Sequence, residues 1–177
     1  CLRLVGSEMC IRDRVYCPGS INLRPFRGLK PETFVEDFNL NVMGAIKTIS
    51  AVLKNLNNAD HSSIVLFSTV AVQTGMPFHS SIAVSKGAIE GLTRSLAAEL
   101  APKVSINAIA PSLVNTPLAE KFLNSESKME RAMDRHPLKK VGSPEELANI
   151  AVYLLLNSSW ITGQIIGVDG GIGTLKV

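Results

Sequence analysis

The amino-acid sequence predicts an α/β fold in which a parallel β-sheet carries helices on both faces. Two continuous apolar runs, residues 63–68 and 104–110, have the length and composition of strands that are buried on both faces. Helical patterns alternate with these runs, as the connections between parallel strands require. With shorter candidates at residues 15–17 and 164–168, the sheet has at most four strands.

The helices between these strands begin at recognisable signals. Pro31 opens a helical stretch whose apolar pattern runs over residues 34–56, and a loop through Gly75 and Pro77 leads to a helix over residues 80–100. Residues 111–135 are mixed in charge and predict two short helices. The sequence Ser143-Pro144-Glu145-Glu146 has the form of a capping box, so a last helix is predicted from there to about Leu156.

Length and composition favour one domain. The chain has 177 residues, of which 46% are hydrophobic, and it contains no repeat or linker. The net charge is +3, and basic residues do not cluster in one segment, so nucleic acid is not expected as a partner. No apolar run reaches the roughly 18–20 residues that span a bilayer, so a membrane is not expected either.

The first fourteen residues are left out of the predicted fold. They do not begin with Met, hold two of the three cysteines, and resemble translated adapter or vector sequence. Their three arginines and two acidic residues account for +1 of the charge and leave +2 for a domain over residues 15–177. Cys17 is the only cysteine of that domain. One cysteine forms neither an internal disulfide nor a zinc site, so we expect no metal and a reducing, cytoplasmic location.

Lys86 is the residue that points most directly to chemistry. It lies in the predicted helix over residues 80–100, where residues four apart share a face, so residue 82 lies one turn away from it. A tyrosine at 82 would lie beside the ammonium, which favours the phenolate and makes the phenol a usable acid or base near neutral pH. Residue 82 is isoleucine instead.

From Val15 to Gly171 the order of motifs resembles the C-terminal two-thirds of a short-chain dehydrogenase/reductase. Five places carry the resemblance, and they are residues 39–44, 67–71, 85–100, 107–117 and 160–171. The resemblance implies a Rossmann-like, doubly wound parallel sheet that binds NAD or NADP across the carboxyl ends of its strands. It also implies hydride transfer to or from a carbonyl or alcohol of a small molecule.

The resemblance implies a role for particular residues. Lys86 would hold the hydroxyls of the nicotinamide ribose, and Asn41 would help to organise a proton relay. Thr69, thirteen residues before position 82, would bind the substrate oxygen, with Ser68 as the alternative. The positions that would contact the cofactor, besides Lys86, are Gly19, Pro111, Val114 and Thr116.

The chain departs from the family pattern in three places. It has no G-x-G-x-x-G turn for the cofactor pyrophosphate, so we expect a fragment that lacks the first βαβ units and binds dinucleotide poorly by itself. The usual Asn-Ala-Gly after the fourth strand is replaced by Cys17-Pro18-Gly19, and Ile82 replaces the catalytic tyrosine. His79 could serve as a substitute acid, since a histidine has an unperturbed pKa of about 6.5. The alternative is a loop histidine without a role.

Two functions therefore remain open at the level of sequence. The first is an oxidoreductase that uses NAD or NADP, and the second is a non-catalytic homologue that binds dinucleotide or only a partner subunit. In either case the family forms dimers and tetramers through helices that correspond to residues 39–56 and 80–100, so a homodimer or homotetramer is expected. The loop over residues 118–136 would cover the substrate and carries no diagnostic group. Neither the substrate nor the choice between NAD and NADP follows from the sequence.

Overall fold

A computed structural model describes residues 13–58 and 61–176 of the chain. They form one four-stranded sheet in the order β1-β2-β3-β4, and all three pairings are parallel. The strands are β1 (Asp13–Val15), β2 (Ser62–Phe67), β3 (Val104–Pro111) and β4 (Ile165–Val168). The carboxyl ends of all four strands therefore lie along one edge, and the predicted α/β class is confirmed.

Helices connect each strand to the next. Between β1 and β2 lie α1 (Pro31–Phe38), a π-helical turn (Asn39–Met43) and α2 (Gly44–Asn58). Between β2 and β3 lie α3 (Ala71–Thr74) and α4 (Ser80–Leu100). Between β3 and β4 lie α5 (Glu120–Leu123), α6 (Glu126–Asp134) and α7 (Pro144–Leu156). Two short 3₁₀ turns occur at Phe26–Gly28 and Pro117–Ala119.

Both faces of the sheet are buried because successive strand residues point to opposite sides. On one side Ile64, Leu66 and Ile106 share a core with buried residues of α2 and α4. On the other side Val65 and Ile109 share a core with the buried face of α7. The two cores explain why β2 and β3 read as continuous apolar runs rather than as alternating patterns.

The first strand begins earlier than the sequence indicated. Asp13 and Arg14 pair with Ser63 and Ile64, and the strand ends at Val15, where a strand tail over residues 15–17 was predicted. The hydrogen bonds between paired strands join backbone groups, so the strand pairing includes Asp13 and Arg14 although these residues are not apolar. The boundary proposed between residues 14 and 15 thus falls inside β1. The rest of the excluded segment, residues 1–12, lies outside the described residues.

The other elements follow the predicted pattern with one local change. The helical stretch predicted over residues 34–56 contains the π-helical turn, which buries Asn41 completely. Such turns interrupt a helix and re-aim its side chains, often at functional sites. The predicted capping box is confirmed, since the Glu146 amide donates to Ser143 Oγ and the Ser143 amide donates to the Glu146 carboxylate. In the part of the chain that is described, no helix is long and apolar enough to cross a membrane.

Two substitutions in α7 test whether this helix covers the second face of the sheet. Leu154 is 1% exposed and Val152 is 49% exposed in the same helix. We expect Leu154→Ala to lower the free energy of unfolding by about 2–5 kcal/mol, because it leaves a cavity against the sheet. Val152→Ala is the control and should change it by less than about 0.5 kcal/mol in urea unfolding. Equal effects would mean that α7 does not seal this face.

Candidate active site

A cavity of about 620 Å³ lies at the carboxyl ends of β2 and β3. Residues at or just after the ends of these two strands, among them Thr69 after β2 and Pro111 at the end of β3, form its inner wall. The loop after β1, the start of α4 and the segment over α5 and α6 contribute the remaining walls. Carboxyl ends of parallel strands are where α/β proteins bind their ligands, so this cavity is the candidate active site.

Lys86 is the charged residue that α4 contributes to the cavity wall. It is 7% exposed, and within residues 13–58 and 61–176 no group accepts a hydrogen bond from its ammonium or forms an ion pair with it. Burial lowers the pKa of Lys86 to about 8, and the nearby Cys17 sulfur partly opposes that shift. Burial also raises the pKa of the Cys17 thiol, and the Lys86 charge only partly offsets this. At neutral pH the cavity therefore presents a largely protonated ammonium that has no acceptor in the described protein.

Gly19 approaches both Lys86 and Asn41. A Cβ atom at Gly19 would lie 3.7 Å from Lys86 Nζ and 3.5 Å from Asn41 Oδ1. The Asn41 amide donates to the Asp37 carbonyl oxygen at 2.8 Å and to Ser20 Oγ at 3.1 Å. Its Oδ1 is buried and has no partner among the described residues. Glycine at 19 thus leaves room beside one unpaired donor and one unpaired acceptor.

A buried carboxylate holds the loop that carries Gly19. Asp37 of α1 accepts hydrogen bonds from Ser20 Oγ at 2.6 Å and from Asn22 Nδ2 at 2.8 Å. Charge-assisted bonds of this kind are short and comparatively strong. Asp37 therefore fixes the loop after β1 against the π-helical turn, and the sequence analysis did not identify it.

The two hydroxyl groups after β2 are placed differently. Ser68 Oγ donates to Glu90 Oε1 at 2.8 Å in a buried contact, and Glu90 also pairs with Arg94. Thr69 Oγ1 makes only long bonds, 3.4 Å to the Pro111 carbonyl oxygen and 3.3 Å from the Ala71 amide. Both residues line the cavity. The Thr69 hydroxyl is the one that can exchange its partners for a ligand.

Ile82 and His79 also line the cavity. Ile82 is buried one turn before Lys86, so an apolar side chain occupies the place predicted for the acid. His79 precedes the first turn of α4, and its Nδ1 donates to the Pro77 carbonyl oxygen at 2.7 Å. A carbonyl oxygen only accepts, so the proton of the neutral ring lies on Nδ1 and Nε2 remains available.

The structure brings together only part of the predicted set. Gly19, Ser68, Thr69, Lys86 and Pro111 line one cavity, whereas Asn41, Val114 and Thr116 are outside its lining. Asn41 contacts the site through Gly19, as described above. Val114 is buried and forms a β-bridge with Gly142. Thr116 Oγ1 donates to the Val114 carbonyl oxygen at 3.4 Å. The cofactor roles of Val114 and Thr116 stay predictions.

Ser112 and His136 also line the cavity, although the sequence did not indicate either of them as a site residue. His136 is buried, its Nδ1 donates to the Ala132 carbonyl oxygen at 2.6 Å, and its Nε2 accepts from Ser112 Oγ at 2.8 Å in the neutral ring. This pair joins the loop after β3 to the end of α6. Twenty-four residues separate the two along the chain, so no local spacing signals the contact.

Comparison with known proteins identifies the family. A family model described as Enoyl-(Acyl carrier protein) reductase matches residues 15–173. The chain is 36% identical over 146 residues to the 3-oxoacyl-(acyl-carrier-protein) reductase FabG of Thermotoga maritima, which covers 81% of the chain and 58% of that relative. The chain belongs to the short-chain dehydrogenase/reductase family. It spans little more than half the length of this curated relative.

Solved structures agree with this assignment. A short-chain dehydrogenase/reductase of Brucella melitensis superposes with a TM-score of 0.83 at 30% identity, over 90% of this chain and 64% of that one. ElxO, solved with NADP bound, superposes with a TM-score of 0.86 at 26% identity, over 93% of this chain and 68% of that one. The predicted Rossmann-like fold is confirmed.

The buried ammonium of Lys86 has a consequence for stability that can be measured. Because its pKa falls from 10.5 to about 8 on folding, the unfolded chain binds more protons between these values, and the contribution of Lys86 to stability rises with pH. From pH 7 to pH 9.5 the rise is about 2 kcal/mol. We expect Lys86→Met to lack this rise and to be more stable than the parent chain at pH 7. Urea unfolding at both pH values checks this, and identical pH dependence in the two proteins would contradict it.

Proposed function

We propose that the chain forms the substrate side of an oxidoreductase that moves hydride between NAD(H) or NADP(H) and a carbonyl or alcohol of a small molecule. One observation carries this function. A buried ammonium without an acceptor lines the same cavity as the Thr69 hydroxyl, at the carboxyl ends of the strands. The names of the relatives, a 3-oxoacyl reductase and a protein solved with NADP, support the same class of reaction.

The residues present fit a nicotinamide nucleoside. A ribose offers hydroxyl groups that accept hydrogen bonds, and Lys86 Nζ is a donor without a partner among the described residues, in the cavity wall beside Gly19. Lys86 would hold the ribose, and the loop from Pro111 to Thr116 would contact the nicotinamide. When bound, the nicotinamide supplies or accepts the hydride.

Other groups of the cavity wall would bind the substrate oxygen and supply its proton. The Thr69 hydroxyl, which makes only long bonds, would donate to that oxygen, while Ser68 remains bound to Glu90. Ile82 has no titratable proton, so on reduction the oxygen would take one from the Lys86 ammonium, or from His79 Nε2 when the imidazole ring carries its second proton. A group whose pKa is near the working pH is an efficient acid, and burial places Lys86 in that range.

Restoring a phenol at residue 82 tests the site. In the longest natural protein that contains residues 15–177, we expect Ile82→Tyr to raise NADPH- or NADH-dependent reduction of a carbonyl at least about 100-fold. The phenol would lie one turn from the Lys86 ammonium, which lowers its pKa. Ile82→Phe is the control, because it adds the ring without the hydroxyl. If the two variants reduced the carbonyl at equal rates, the missing acid at residue 82 would not be the only defect of a dehydrogenase site, and the proposed site would be wrong.

A second function is favoured by Ile82 itself. A buried apolar residue at the position of the acid suits a homologue that binds dinucleotide without turning it over. Such a protein would bind NADH or NADPH through Lys86 and remain inactive even with His79 intact. It would bind the dinucleotide as tightly as the enzyme does but would not transfer hydride.

Dinucleotide binding tests what both functions share. We expect Lys86→Ala to weaken NADH or NADPH binding at least tenfold in calorimetry, because it removes the donor to the ribose, a change of about 1.4 kcal/mol. Lys47→Ala, which changes an exposed lysine of α2, is the control and should leave affinity unchanged. Failure of the parent protein to bind either dinucleotide would leave only a role in subunit association.

We also propose that the protein is a homodimer or homotetramer of the cytoplasm. On α4 the exposed residues Val84, Gly91 and Ala98 follow one another at helical spacing and leave a surface on which a second helix can pack closely. The free thiol of Cys17 suits a reducing compartment. Light scattering that gives a monomer at tens of micromolar would contradict the proposed assembly.

A further inference from the structure

The basic and the acidic side chains of the α6 segment lie on different sides of the helix. Lys128 and Arg131 of α6, and Arg135 directly after its last residue, are three and four residues apart, lie on one side of the helix, and line the cavity. The acidic residues Glu126, Glu130 and Asp134 are four apart on the opposite side and do not line it. Because the segment was predicted only as a mixed-charge excursion, the sequence analysis did not assign a function to this pattern.

The cations that face the cavity have no acidic partners. Lys121 adds a fourth positive charge from α5, and in the described part of the chain none of the four forms an ion pair. Cations of the same region that face away do form pairs, Lys139 with Asp134 and Lys140 with Glu146. The positive charge is therefore left uncompensated on the side that faces the cavity.

Neutral oxygens hold some of these side chains in place. Lys121 Nζ donates to the Ile21 carbonyl oxygen at 2.9 Å, and Lys128 Nζ donates to Asn124 Oδ1 at 2.7 Å. Arg131 donates through Nε to the Ser127 carbonyl oxygen at 3.0 Å, which leaves the other guanidinium nitrogens free. No described Asp or Glu lines the cavity. The cavity wall thus holds four solvent-exposed cations and no described acidic residue.

We propose that the substrate carries an anionic group, a carboxylate or a phosphate, which binds to the cavity-facing cations of α6. This inference rests on the proposed oxidoreductase function and names its substrate class. The carbonyl or alcohol would lie at Thr69 and Lys86, and the anionic group would lie against Arg131 and Arg135. Arginine suits this task because its planar guanidinium binds carboxylates and phosphates through two parallel bonds.

A matched pair of ketones tests the charge preference without any turnover. Levulinate and its neutral amide, 4-oxopentanamide, have the same length and the same ketone. In the longest natural protein that contains residues 15–177, at low salt and without cofactor, NMR titration should show levulinate binding roughly tenfold more tightly. In the double variant Arg131→Gln/Arg135→Gln this preference should fall to about twofold or less, with the amide unaffected.

The controls separate this site from general charge effects and from the cofactor. Lys139→Gln removes a nearby lysine outside the cavity and should keep the preference. Loss of the preference in this control, or equal binding or no binding of both ketones by the parent protein, would overturn the inference. Competition by inorganic phosphate against levulinate would extend the ligand class to phosphates, and its absence would restrict it to carboxylates.

A last comparison distinguishes the substrate from the cofactor phosphates. If the double arginine variant lost NADPH binding and kept its preference for levulinate, the cations would serve the cofactor and the inference would be wrong. The ketone titrations need no hydride transfer, so the anion preference can hold in a protein that proves inactive. Conversely, activity on neutral ketones alone would support the oxidoreductase and contradict the anionic substrate.

Discussion

The burial of the Lys86 ammonium is the constraint on which the candidate site depends. A lysine that is 7% exposed and has no acceptor among the described residues costs free energy, which its lowered pKa of about 8 reflects. The surrounding structure is arranged around this charge. Asp37 fixes the loop that carries Gly19 beside it, and Glu90 binds Ser68, which leaves Thr69 as the less engaged hydroxyl. We propose that a bound ligand completes the hydrogen bonds of this ammonium.

The fold places this charge where a parallel sheet can use it. Helices cover both faces of the sheet, and the loops after β1, β2 and β3 meet at its carboxyl edge. Segments between β3 and β4 close the cavity with α6, whose cations face inward. Lys86 and Thr69 thus line the cavity near the strands, and the cations of α6 line the same cavity from the segment between β3 and β4. Residue 82 is isoleucine where the family pattern has the catalytic tyrosine, so the cavity lacks a phenolic acid at that position.

Much of this arrangement follows from the sequence, and the remainder has physical reasons for being hidden. Buried strands, the helix over residues 80–100 and the capping box at Ser143 are local patterns, and each was predicted close to its observed position. The π-helical turn at Asn41 was missed because its sequence continues a regular helical pattern. The Ser112–His136 contact joins distant segments, and the inward charge of α6 appears only once the helix has a cavity on one side.

A measurement of the Lys86 pKa tests most directly whether this ammonium is buried without a partner and binds a dinucleotide. NMR titration of its side-chain ¹⁵N and ε-¹³C signals, assigned with Lys86→Met in the longest natural protein that contains residues 15–177, gives the pKa in the free protein and with NADPH. We expect a pKa of about 8 without ligand and a clear change of the Lys86 signals when NADPH binds. A pKa near the ordinary lysine value of about 10.4, with signals unmoved by NADPH or NADH, would contradict this expectation.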